Sequence, residues 1–160
     1  MSPFNENPFA VMTLIAAPAI MTNAASVLTL GTSNRLARVV DRSRELGKML
    51  RELTPESDIY EVRMKQLDLL QRRSRAVVKA LTAFYFAIGS FAVAALVSLV
   101  GAALASSQFQ FGFRAAALAG LVIGALAVGA LAIGCTLLVV ETRLAVIHLA
   151  EEAGLAKRRE

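Results

Sequence analysis

Thr22, Ser26, Thr29 and Ser33 fall at i, i+4, i+7 and i+11 within an otherwise apolar stretch. At about 100° per residue they stack along one face of a helix. Asn23 stands beside that stripe, and Pro18 lies one turn above it. Polar side chains at membrane depth are costly unless they meet protein or water. The stripe therefore suits one of two chemistries: hydrogen bonds between packed helices, or the wall of a hydrated ion path. Both uses fit the spacing. The pore reading takes Thr22, Asn23, Ser26, Thr29 and Ser33 as lining, with Pro18 and the apolar Ile15 above them. It places Arg35, Arg38 and Glu141 at the inner mouth.

Other chemistry-bearing residues form weaker patterns. His148 with Glu151 and Glu152 has helical spacing for a metal pair, but one His and two acids make a solvated helix face. Glu141 and Arg143 read as an interfacial charge pair. Cys135 stands alone, which gives neither a disulfide framework nor a zinc site. The sequence has no phosphate-binding glycine loop and no Ser-His-Asp set. The expectation is a non-enzyme with no cofactor and no metal.

Three uncharged runs must position these residues: Asn7–Asn34, Ala80–Phe113 and Ala115–Val140. Each exceeds the ~18 apolar residues that mark a membrane span. The chain has 160 residues, 56% hydrophobic and 18% charged, so little remains for a soluble core. The fold class expected is all-α integral membrane, with three transmembrane helices and a cytoplasmic antiparallel helical hairpin between spans one and two. As one membrane domain it divides into span one at 7–33, the hairpin at 34–79, span two at 80–105, span three at 114–142 and a cytoplasmic tail at 143–160.

Most of the 17 Lys and Arg lie between residues 35 and 79. No Lys or Arg precedes span one, and Arg114 is the basic residue between spans two and three. The positive-inside rule then puts the N-terminus outside and the C-terminus in the cytoplasm. The same distribution removes the net charge of +5 as a nucleic-acid signal. With no basic residue before it, span one reads as an uncleaved anchor. Arg72, Arg73, Arg75 and Lys79 close the hairpin as a lipid-headgroup anchor.

Local signals fill in the elements. Asn7-Pro8 reads as a helix start, and Pro18 should kink span one. Leu36, Val39, Ser43, Leu46, Leu50 and Leu53 alternate by three and four, a short coiled-coil seam. Thr54-Pro55-Glu56 reads as the start of the next helix, with Thr54 as N-cap. That helix shows Tyr60, Met64 and Leu67 on one face, with Glu61–Lys65 and Asp68–Arg72 as i,i+4 ion pairs. Phe84, Tyr85 and Phe86 suit an inner aromatic belt, and residues 106–114 an outer loop. In span three, Gly120, Gly124 and Gly134 share a face for close helix packing. A second small face, Ala125, Gly129, Ala132 and Thr136, fits a neighbouring subunit, which implies a homo-oligomer.

The run NPFAVMTLIAAPAIMTNAASVLTLGTSNRLARVVDRSREL, followed by QRRSRAV and two apolar spans, resembles a family of small prokaryotic membrane proteins. That family is known as domain of unknown function 2721. The resemblance implies a bacterial inner-membrane protein of this architecture and supplies no activity. The functional expectation is a homo-oligomeric channel or pore lined by the polar face of span one, with itself, membrane lipids and a small ion as partners. Its alternative is a non-conducting accessory protein that docks a partner or anionic lipid through the basic hairpin.

Overall fold

The computed structural model describes residues 9–105 and 110–157, with side chains over 16–57, 59–103 and 111–143. Three long helices account for almost all of it: α1 (Phe9–Glu52), α2 (Asp58–Ala105) and α3 (Gln110–Lys157). Each is more than twice the ~20 residues that a bilayer core requires. Among the described residues, two helical stretches are long and apolar enough to cross a membrane, Ile59–Ala103 and Phe111–Arg143. A core helix of a soluble protein would pass the same test but would be mostly buried. Here only 22% and 11% of the most apolar windows are buried within the chain.

The backbone explains the long helices. α1 runs through Pro18 as continuous α-helix. Thr22 Oγ donates to the Pro18 carbonyl at 2.8 Å, within the turn that follows the proline. No further proline occurs before Pro55. There the chain turns, with the Ser57 N–H donating to the Thr54 carbonyl at 3.1 Å. The fixed φ of Pro55 suits the second position of such a turn. That turn displaces the expected cap. Ser57, not Thr54, accepts the Tyr60 N–H on its hydroxyl at 3.2 Å, and α2 starts at Asp58. Residues 110–114, expected in a loop, are the first turn of α3.

By contacts the chain forms two compact units, each drawing on all three helices. In Met1–Leu30 with Thr82–Ile133, the buried residues are Ala25 and Thr29 of α1, Phe84, Ala87, Phe91 and Ala94 of α2, and Ala127 of α3. Ala87, Phe91 and Ala127 form its core cluster, with Met21, Ala130 and Leu131 packed on it. Small residues let the helix backbones approach, and two phenylalanines fill the space between them. Phe84 is thus a core residue and not part of an aromatic belt, whereas Tyr85 and Phe86 are exposed. Gly101 makes a close approach, where an added Cβ would stand 3.1 Å from Ala116 Cβ. Gly120 packs on Ser98 and Val97 at ordinary contact distance, while Gly124 has nothing within 4 Å of a Cβ. The expected Gly120–Gly124 packing face therefore holds at Gly120 only.

In Gly31–Leu81 with Gly134–Glu160, Leu46 and Leu50 of α1 and Val77 and Ala80 of α2 are buried, with Thr32 and Glu141 beside them as buried polar residues. Glu61–Lys65 and Asp68–Arg72 both form as ion pairs at 2.9 Å. The hydrogen bond from Lys65, helped by its charge, holds the Glu61 carboxyl below its ordinary pKa. On the face of Tyr60, Met64 and Leu67, Met64 is exposed and the other two are half-buried.

Candidate functional site

Two places gather candidate functional side chains, one in each unit. On α1 in the first unit, the hydroxyl stripe divides. Thr29 is buried within the chain and donates to the Ala25 carbonyl at 2.8 Å. Thr22 is half-buried. Ser26 and Asn23 are exposed, and the Ser26 hydroxyl donates to the Thr22 carbonyl at 2.8 Å. These bonds to the preceding turn satisfy the hydroxyl donors inside the helix. Asn23 differs, because its exposed amide has no partner among the described residues. Asn23 and Ser26 share the exposed side of α1 with Ala16, Ala19 and Leu30, next to the strongly exposed Ile20 and Val27. Pro18 instead lines an apolar groove of about 870 Å³, together with Met21, Phe91, Gly120 and Gly124. Ile15 lies outside the described side chains, as does the set His148, Glu151 and Glu152.

The second place is a cleft of about 360 Å³ in the other unit. Arg35, Arg38 and Arg42 reach it from α1, Arg73 from α2, and Glu141 and Thr142 from α3; Val39, Leu70 and Val77 make its apolar floor. Glu141 is only 4% exposed. Its Oε1 accepts from Nε of Arg73 at 2.8 Å, and Nη2 of the same guanidinium lies 2.8 Å from that oxygen. A carboxylate taken out of water is stabilised by such charge-assisted bonds. The expected Glu141–Arg143 pair is therefore replaced by a pair between helices. Arg35 donates to the Thr142 hydroxyl at 3.3 Å, and that hydroxyl donates to the Leu138 carbonyl at 2.8 Å. Arg42 pairs with Glu45 on its own helix at 2.6 Å. Arg38 has no partner among the described residues.

The four residues read as a headgroup anchor separate. Arg73 turns inward to Glu141, Arg72 bonds Asp68, and Arg75 and Lys79 stay exposed. Arg35, Arg38 and Glu141, read as an inner mouth, do meet. Sequence reading missed that Arg73 joins them. The signal was available: Arg73 precedes Val77, Ala80 and Phe84 in the same three-and-four rhythm, and Glu141 follows Ala127 and Gly134 likewise. A charge in phase with a buried face requires a partner on another helix. Gly134 is buried. Among the described residues no group of three His, Cys, Asp or Glu has metal-binding geometry.

Fold and site together define an all-helical protein of three long helices, two of them candidate membrane spans, with a basic cleft closed by an interhelical ion pair. The chain belongs to the family described as “Protein of unknown function (DUF2721)”, whose pattern matches residues 15–150. No curated protein and no solved structure matches it.

Proposed function

We propose that this is a three-span protein of the bacterial inner membrane, N-terminus outside, with a cytoplasmic helical hairpin between spans one and two. Copies associate through the outward face of α1, and the polar positions of that face line a shared path for a small ion. Asn23 carries the reading. An amide moved from water into hydrocarbon without partners costs about 4–8 kcal/mol. Asn23 is exposed and unpartnered in the single chain. A second copy or a column of water has to supply its hydrogen bonds, and a ring of copies supplies both. Thr29 is withdrawn from the wall by its burial, which leaves Asn23 and Ser26 as the polar collar.

One observation favours the non-conducting alternative. The Thr22, Ser26 and Thr29 hydroxyls are donated to their own backbone, which lowers the polarity they offer to an ion. Both readings place Asn23 between copies. With Cys135 replaced by serine, Asn23→Cys should give a disulfide-linked dimer on mild oxidation in native membranes. Val122→Cys, exposed on α3, should not. Equal cross-linking at both positions, or none at residue 23, would remove the shared α1 axis.

A further inference from the structure

We propose that the cleft of Arg35, Arg38, Arg42, Arg73 and Glu141 binds a phosphate group, donated by the headgroup of an anionic phospholipid. Four guanidinium groups face one carboxylate across about 360 Å³, a volume within the small-molecule range. The carboxylate is buried and paired with Arg73, whose Nε donates to its Oε1. Glu141 therefore fixes Arg73 at the cleft wall without neutralising the α1 side. There, Arg35 and Arg38 stand three residues apart and Arg42 four further on, so like charges share a helix face and repel. Arg42 is relieved by Glu45. Arg35 has only the long bond to Thr142, and Arg38 has no partner among the described residues. Each guanidinium carries five donors in a planar fork that matches phosphate oxygens, so these two present most of theirs unused. A tetrahedral oxyanion between them relieves the repulsion and completes the donor set.

The lipid source follows from where the cleft falls along the chain. Arg35 is the first charge after the uncharged run that ends at Asn34, and Glu141 the first after the run that ends at Val140. Two spans thus deliver their first charged residues to one cleft, the level at which headgroup phosphates lie. This source rests on the membrane reading above, whereas the phosphate chemistry stands without it.

The test measures thermal unfolding of the full chain in mild detergent, titrated with phosphatidylglycerol, phosphatidylcholine or inorganic phosphate. Ligand that binds the folded state raises the midpoint with concentration. Phosphatidylglycerol should raise it most. The double variant Arg35→Gln/Arg38→Gln should need at least tenfold more lipid for the same shift, while Arg44→Gln, an exposed arginine of α1 outside the cleft, should stay within twofold. Unchanged helical circular dichroism and an unchanged lipid-free midpoint establish that the double variant is folded. A shift lost equally in Arg44→Gln, or no shift with any of the three ligands, would refute the site. Saturation by inorganic phosphate at the lipid's concentration, with the same dependence on Arg35 and Arg38, would keep the site and overturn its lipid source.

Discussion

The Arg73–Glu141 pair shows how one charged residue constrains a helix bundle. Glu141 is buried within the chain, and the α3 residues before it are uncharged from Ala115 to Val140. Removing its partner or itself leaves the other charge uncompensated, which costs about 3–5 kcal/mol for a fully buried pair. Arg73 retains 35% exposure and so recovers some solvation. Glu141→Ala should therefore destabilise the chain by about 2 kcal/mol. Arg42→Gln removes only a solvent-exposed pair on one helix and should cost below about 1 kcal/mol. Unfolding midpoints of the two variants in the same detergent check this; equal shifts would mean the pair does not hold the helices. Another exposed pair, Glu61–Lys65, supplies the pH dependence. Its carboxyl is lowered in the folded chain, so its small contribution is present above the ordinary carboxylate range. It fades as the pH falls through that lowered value.

At the scale of elements, packing repeats in threes and fours along every helix. On α1 the buried positions Ala25, Thr29, Thr32, Leu46 and Leu50 keep one phase, and on α2 Val77, Ala80, Phe84, Ala87, Phe91 and Ala94 do so. Leu46→Ala should then destabilise by about 2–5 kcal/mol, the usual cost of truncating a buried leucine. Met49→Ala, at a more exposed position beside it, should change little. Comparable effects by thermal unfolding would contradict this packing phase. The leucine part of the phase was legible in sequence because Leu46 and Leu50 sit among Arg, Glu and Lys. Between residues 80 and 140 both faces of each helix are apolar, so hydrophobic contrast no longer marks the inner one. There the packing positions are Ala, Gly and Phe, and Phe84 was indistinguishable from its exposed neighbours Tyr85 and Phe86. The Ser57 cap was hidden differently, because Thr54-Pro55 satisfies both a helix start and a turn.

For the whole molecule, three long helices and their uncharged runs could be read from composition alone, since charge is absent over stretches longer than any bilayer requires. The division of the polar stripe could not. Whether Thr29 faces its own protomer or a neighbour depends on helix rotation, which equal apolarity on both sides leaves free. That rotation gives Asn23 its weight: it alone of the collar residues has an exposed amide with no partner among the described residues. The direct measurement is ion flux through purified protein in liposomes, wild type against Asn23→Leu. A shared polar path predicts salt-dependent flux in the wild type that falls at least tenfold in the variant while its thermal midpoint holds. An intact wild-type oligomer that passes no ion under any salt or voltage would contradict the pore.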